Sequence, residues 1–487
     1  MNHPITPIMA TPTNSAKILE LSHVAPYTDS PDSATEFSLP LTFFDTLWFK
    51  FPPVERLFFY SLPETKDSFF NAVLPKLNHS LSLTLRYFLP LAGTLTWPRD
   101  SPKPVILYTP GETVSVAIAE SDADFDLLAG NHARQAAISG PLVPLLRVSE
   151  TGASVVALQI TVFPNSGFCI GVTTHHAVLD GKSTTMFMKS WAYLCKENPP
   201  LLPELIPFYD RSIIKDPSGV DMCCLNQWLG NSETTTSSTI RNNPKLFEFS
   251  PILDVPSDLF RATFELSRSD IDKLRQRVLS SWDKSSSSPK PKLHLSSFVL
   301  TFAYVLDCIL KATDGDETKR KVYTAFTADY RSRLEPPVPG NYFGNCVGGK
   351  IIDEELREKL SHLGGEGGEE EEGLTALAEK ISGMVKELEK GIDASREAEE
   401  TLSKLLSIVS EKAYAVGVAG SPRFGVYSID FGWGRPKKVD IVSAEKTGAI
   451  SMAESRDGSG GLEVGLALKK HQMDLFASLF LAGLRKF

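Results

Sequence analysis

The sequence predicts a mixed α/β protein built from two domains. Three observations carry this expectation. Strand and helix signals alternate from about Thr35 to the end. The 487 residues exceed a typical single core. A long stretch without periodicity, Leu201–Pro251, separates two patterned halves. No internal repeat at a solenoid period competes with that reading.

Taken in order, Ser68–Arg86 places Phe70, Val73, Leu74, Leu77, Leu81 and Leu85 at helical spacing. Pro75 should kink this helix or mark a later start, and Pro90 and Gly93 should end it. Val155–Phe163 alternates apolar with small or polar residues, Pro164-Asn165-Ser166-Gly167 is a turn cluster, and Phe168–Thr174 returns, which predicts a β-hairpin. His175-His176-Ala177-Val178-Leu179-Asp180-Gly181 follows at once. Ser183–Lys196 then reads as a helix with Phe187, Trp191, Leu194 and Cys195 on one face, and Pro199 and Pro200 end it. Leu201–Pro251, including the polar run Ser232–Ser238, is expected to be a crossover. Ser285–Lys292 and the acidic, glycine-rich Gly364–Gly373 are expected to be surface loops. Leu374, Leu377, Ile381, Met384, Val385 and Leu388 resume helical spacing, and a further helix is expected over Arg396–Tyr414.

Composition narrows the function. The chain is 42% apolar and 22% charged, which is ordinary for a globular protein. A net charge of −9 argues against a general nucleic-acid binder and requires any anionic ligand to find a local basic patch. The six cysteines are scattered, with no CxxC pair and no zinc spacing, so no metal site is expected and a reducing compartment is. Met1–Ser15 lacks a signal-peptide pattern, and the apolar runs Phe298–Leu306 and Leu479–Leu484 are too short to span a bilayer. These readings predict a cytosolic protein.

The histidine pair is the sharpest chemical signal. It stands where a strand ends and a loop opens a helix, a common place for catalytic side chains. An imidazole titrates near neutral pH and can act as a general base. Consecutive strand residues point to opposite sides, so one of His175 and His176 should face a cleft. Only His176 has an aspartate, Asp180, four residues on. The competing reading makes both histidines structural and Asp180 a helix cap. No G-x-S-x-G elbow accompanies them, which argues against a serine hydrolase. Asp430-Phe431-Gly432-Trp433-Gly434 is a second signal, since two glycines around a tryptophan allow a tight turn and close approach.

Together these segments resemble the plant BAHD acyltransferase family. His176-Ala177-Val178-Leu179-Asp180 looks like its HxxxD motif, and 430–434 looks like its DFGWG signature. Leu39-Pro40-Leu41-Thr42-Phe43-Phe44-Asp45, Phe88–Gly93, Leu295–Phe298 and Asp329–Leu334 resemble other family blocks. Tyr342-Phe343-Gly344-Asn345-Cys346 is similar to the YFGNC block of the subgroup acting on anthocyanins and phenolic glycosides.

The resemblance implies two similar-sized lobes related to chloramphenicol acetyltransferase, each a mixed sheet with helices, with a channel between them. The expected division is 1–205 carrying HxxxD, 206–250 as crossover, and 251–487 carrying YFGNC and DFGWG. It implies His176 as general base, with no acyl-enzyme and no permanently bound cofactor. Asp180 is expected to point away from the channel and pair with Arg331. Asp430 and Trp433 are further catalytic candidates, Trp433 through its indole N–H, and Gly432 and Gly434 are structural. Lys292, His294, Ser296 and Ser297 match the coenzyme-side block, and Ser421 and Arg423 join them. The co-substrate is an acyl-CoA, malonyl-CoA above all, and the acceptor is a phenolic, flavonoid or anthocyanin glucoside. Lys182 is the nearest cation in sequence for a malonyl carboxylate. A monomer is expected, with no nucleic acid or membrane as partner. The rivals are a hydroxycinnamoyl-CoA donor, a condensation-domain-like enzyme, and a binding protein that kept the fold without the chemistry.

Overall fold

The computed structural model describes residues 16–29, 35–197, 200–230, 237–250, 258–284, 292–313, 322–353, 370–388, 393–411 and 413–485. The expectations for Met1–Ser15, for Pro199, for Ser232–Thr236, for Ser285–Pro291 and for Gly364–Glu369 lie outside these residues.

Two large mixed sheets organise the chain. The first has six strands in the order Lys17–Val24, Val114–Glu120, Val156–Phe163, Gly167–Thr174, Val54–Ser61 and Lys438–Ile441. The second has seven: Val347–Asp353, Val322–Asp329, Tyr414–Ala419, Ile450–Glu454, Leu462–Lys469, Leu259–Leu266 and Arg134–Gln135. A smaller five-stranded sheet packs with the first half of the chain. The expected hairpin forms, with Val156 opposite Thr174 and Phe163 opposite Gly167. Asn165 turns it at φ 63°, a left-handed conformation that asparagine tolerates. Both hairpin strands are buried along their whole length, so their alternation marks two covered faces rather than one wet face.

Two strands cross between the halves. Lys438–Ile441, late in the chain, pairs antiparallel with Val54–Ser61 in the first sheet. Arg134–Gln135, from the first half, pairs with Leu259–Leu266 in the second. Buried charges join at this crossing. Arg134 holds Asp440 at 2.6 Å, Arg261 holds Asp440 at 3.2 Å and Arg261 holds Glu445 at 2.7 Å.

Each large sheet carries its own apolar core. Trp191, Phe187 and Leu194 of the helix Gly181–Lys196 pack into the first with Leu77, Leu81 and Leu85. Ser297–Ala312 runs through the second core, buried nearly all round, with Leu374, Leu377 and Ile381 against it. Four segments refine or differ from expectation. Pro75 stands in the first turn of Leu74–Tyr87, and the residues before it, Phe69–Val73, widen into a π turn, which accommodates a residue lacking an N–H. Leu201–Pro251 contains the helices Val220–Trp228 and Ser237–Arg241. Val220–Trp228 divides its apolar side chains between the cores, Cys224 to one and Leu225 to the other, so no single stripe announces it. The glycine-rich segment does not stay a loop to Gly373, because a helix starts at Glu370, and Arg396–Tyr414 splits into the helix Ala394–Ser410 and a strand from Tyr414. No helix among the described residues is long and apolar enough to cross a membrane.

Candidate active site

The hairpin's second strand ends at Thr174, and the next two side chains diverge. His175 is fully buried, between the rings of Phe49 and Phe249. Its Nδ1 accepts from the Ala177 N–H at 3.2 Å. Burial, reinforced by His176, pushes its pKa down to about 3, so it is neutral and structural. His176 turns the other way and lines a cavity of about 260 Å³ between the two lobes. Its ring stacks on Trp48 at 4.4 Å with a 13° interplanar angle and meets the edge of Phe51 at 5.6 Å. These contacts fix the ring plane. Nδ1 is enclosed with no partner beyond its own residue's backbone, which leaves Nε2 as the nitrogen that can take a proton from a ligand. Burial brings the His176 pKa down to about 4; Asp180 pulls it up and Arg56 pushes it down.

Asp180 caps the following helix. Its Oδ1 accepts from the Ser183 N–H at 2.8 Å, and its Oδ2 accepts from the Cys346 N–H at 3.2 Å. The same Oδ2 pairs with Arg331 at 2.8 Å, with both side chains buried. Arg331 also holds the backbone oxygen of Gly344 at 3.1 Å and Asp329 at 3.1 Å. Both of Asp180's oxygens are thus engaged by the scaffold. Gly181 is needed where it is: a Cβ there would lie 2.6 Å from the Phe424 ring and 3.0 Å from the Arg56 guanidinium.

A second set of bonds holds the histidine from the other side. Asn345 Nδ2 donates to the His176 carbonyl at 2.9 Å and to Asp45 Oδ1 at 3.1 Å. Asp45 also accepts from Arg211 at 2.9 Å. Gly344, at φ +134°, has no room for a Cβ, which would lie 2.3 Å from Arg211. Two blocks distant in sequence, 41–45 and 342–346, therefore clamp the loop that carries the base.

Strands and loops of both lobes wall the cavity. Trp48, Phe51, Arg56 and Leu179 come from one side, and Tyr323, Thr327, Leu405, Val418 and Phe424 from the other. A family model described as Transferase family matches residues 19–481. Phenolic glucoside malonyltransferase 1 of Arabidopsis thaliana is 45% identical over 474 residues, 97% of this chain and 98% of its own length. The malonyl-CoA:anthocyanidin 5-O-glucoside-6''-O-malonyltransferase of the same plant is 42% identical over 480 residues, 97% of this chain and 99% of its own. The chain belongs to the BAHD acyltransferase family. Its fold is also that of vinorine synthase, with a TM-score of 0.64 at 18% identity, covering 96% of this chain and 98% of that one.

Not every BAHD motif residue lies at the cavity. Asp430 accepts from the N–H groups of Gly432 and Gly434 at 2.8 and 2.9 Å and pairs with Lys196 at 3.0 Å. Gly432 and Gly434 have φ values of 103° and 99°, which glycine alone adopts readily. Trp433 packs edge-on to Phe168 at 6.1 Å, beneath Lys76. Neither Asp430 nor Trp433 lines the cavity with His176, so the geometry makes DFGWG a braced turn on the first lobe and gives no support to a catalytic task for either residue. Lys182 is likewise elsewhere: it pairs with Asp329 at 3.2 Å, outside the cavity lining, because the first turn of its helix aims it at the second lobe.

The residues expected on the coenzyme side, Lys292, His294, Ser296, Ser297, Ser421 and Arg423, do not line the cavity with His176. Ser296 caps the helix Ser297–Ala312 through the Val299 N–H at 3.3 Å. Lys292 and His294 are exposed, with the Lys386 ammonium on the Lys292 carbonyl. Ser421 lines a small adjoining cavity, and Arg423 beside it is exposed. Sequence reasoning missed Trp48, Phe51 and Arg56. Arg56 had a visible signal: Glu55-Arg56 is a charged pair leading straight into Leu57-Phe58-Phe59-Tyr60, a run that otherwise reads as a central strand.

Proposed function

We propose that this protein transfers the malonyl group of malonyl-CoA to a sugar hydroxyl of a phenolic, flavonoid or anthocyanin glucoside. The observation that carries the reading is the opposed placement of the motif's two ends. His176 presents Nε2 to a cavity between the lobes, while Asp180 is turned into the scaffold on Arg331. The full-length similarity to malonyltransferases of glucosides supports the donor and acceptor classes.

In this reading His176 Nε2 removes the acceptor hydroxyl proton as that oxygen attacks the thioester carbon. The tetrahedral intermediate collapses, the carbon–sulfur bond breaks, and the departing thiolate takes the proton from the imidazolium. Two substrates held against one base gain chiefly by orientation. Lys292, His294, Ser296, Ser297, Ser421 and Arg423 form the coenzyme side, where exposed basic and hydroxyl groups suit phosphates. The catalytic unit is a monomer of two lobes, built mainly from 1–205 and 251–487 and joined by 206–250, with Lys438–Ile441 and Arg134–Gln135 exchanged between them. The six free thiols fit a cytosolic location.

The test is a thiol-release assay with malonyl-, acetyl- and coumaroyl-CoA against one phenolic glucoside, with mass detection of the product. Malonyl-CoA should give the highest kcat/KM and a glucoside heavier by one malonyl group. Preference for coumaroyl-CoA would replace the proposed donor. CoA binding without turnover on any donor would return the chain to the binding-protein reading.

A further inference from the structure

The cavity beside His176 contains a cation that forms no ion pair with any described residue. Among the described residues that line it, Arg56 is the only lysine or arginine. Arg56 stands in the strand Val54–Ser61 and is 4% exposed. Its Nε has no hydrogen-bond partner, and its Nη1 reaches the Thr185 hydroxyl only at 3.4 Å. Four other buried arginines are provided for differently: Arg134, Arg211, Arg261 and Arg331 each hold a carboxylate at 2.6, 2.9, 3.2 and 2.8 Å. The anion nearest the cavity, Asp180, is already engaged by Arg331. A buried charge without a partner is costly, and a fold that keeps one beside its base leaves a place for an anion.

The chemistry of the donor says which anion. In a malonyl thioester a single methylene separates the free carboxylate from the carbonyl that is attacked. Its receptor must therefore lie deep in the cavity, next to the base, and not at a mouth with the coenzyme phosphates. Arg56 lines the same cavity as His176 and its charge is felt at that ring, and it stands where this cavity adjoins the small one lined by Ser421. A guanidinium also offers the planar fork that a carboxylate can engage through two bonds.

We propose that Arg56 is the receptor for the free carboxylate of the donor's acyl group and sets the preference for malonyl over uncharged acyl groups. The inference rests on the acyl-transfer reading above. Burial lowers the Arg56 pKa to about 10, with Asp180 opposing, so the side chain stays charged at neutral pH. An acetyl or coumaroyl donor would leave the guanidinium dehydrated and unpaired, which selects against it as well as for malonyl.

The experiment compares wild type with Arg56→Gln and Arg56→Lys. Calorimetric titration with malonyl-CoA and acetyl-CoA, without acceptor, reads carboxylate recognition alone. Turnover with a phenolic glucoside reads the specificity ratio. Truncating one partner of a buried charged pair should lower the malonyl-to-acetyl ratio, in affinity and in kcat/KM, by about 30-fold or more in Arg56→Gln. Arg56→Lys should lose less, because it keeps the charge without the fork. Equal losses on both donors would assign Arg56 to the developing oxyanion or to packing and overturn the proposal. An unchanged ratio would overturn it too. Should Arg56→Gln not fold, Arg56→Lys and the wild-type affinities for malonyl-CoA and its neutral methyl ester decide: equal wild-type affinities sink the idea. A wild type that discriminates by charge in the titration but transfers nothing to the glucoside would fail the acceptor assignment and leave Arg56's role standing.

Discussion

Replacing Asp180 with asparagine separates a scaffold role from a chemical one. The substitution keeps an oxygen to cap the Ser183 N–H, now at 2.8 Å, but removes the charge that faces Arg331 at 2.8 Å. Breaking a buried ion pair by removing one partner costs about 3–5 kcal/mol, because the remaining charge is stranded. Arg331 keeps Asp329 at 3.1 Å, and that carboxylate is 41% exposed and screened by water. The loss should therefore lie near the lower end, about 3 kcal/mol. Asp180→Ala also loses the cap, adding about 1 kcal/mol. Urea denaturation followed by circular dichroism measures both. Activity should fall through misplacement of the His176 loop, and high donor and acceptor concentrations should restore part of it. The scaffold reasoning fails if Asp180→Asn matches wild-type stability to within about 1 kcal/mol yet loses as much kcat as His176→Ala. That result would make Asp180 an orienting carboxylate for the base.

His176→Ala should lower kcat by about 10²–10⁴, the usual worth of a positioned base, while malonyl-CoA affinity measured by titration stays within a few-fold. With the His176 pKa brought to about 4, kcat/KM should rise with pH through that region and stay flat from about 5 to 8; an acid limb centred near 6.5 would contradict it. Both histidines are held neutral when folded, so the folded state binds fewer protons than the unfolded one below the ordinary histidine value. Stability should accordingly be complete above about pH 6.5 and be lost as pH falls toward about 4 and then about 3, as a pH series of denaturation midpoints would show. Asn345→Ala removes a bond to the His176 carbonyl and one to buried Asp45, so it should cost about 1–3 kcal/mol and lower kcat; unchanged kcat would release the YFGNC block from positioning the base. Asp430→Ala should destabilise by about 1–2 kcal/mol through the lost turn bonds and leave the pH profile of kcat/KM unmoved; a shifted profile would restore Asp430 to the chemistry.

The parts of this fold that sequence reveals are those written in local patterns. The hairpin, the helix after Asp180 and the stripe Leu374–Leu388 each follow from periodicity and turn residues within a short window. His176 was legible because a strand, a histidine pair and an Asp-Gly step fall in one short segment. Other features depend on partners hundreds of residues away. Lys438–Ile441 has four residues, starts with a lysine, and joins the first sheet only because Val54–Ser61 waits there. Trp48 reads as one more core aromatic until His176 stacks on it. Arg56 announces itself as an oddity in an apolar strand, but that it lacks a carboxylate appears only when its surroundings are assembled. Asp430 and Trp433 show the converse. Their motif is conspicuous, yet the conspicuous pattern of glycines and a tryptophan serves a turn on the lobe's flank.

The exchanged strands tie the two lobes together. Swinging one lobe from the other would strip Lys438–Ile441 from its sheet and Arg134–Gln135 from the other, and would drag Asp440 away from two buried arginines. The cavity beside His176 is thus walled by two halves that are braced against each other. In the proposed reaction, trimming that wall should broaden the range of acceptors by girth without touching the base.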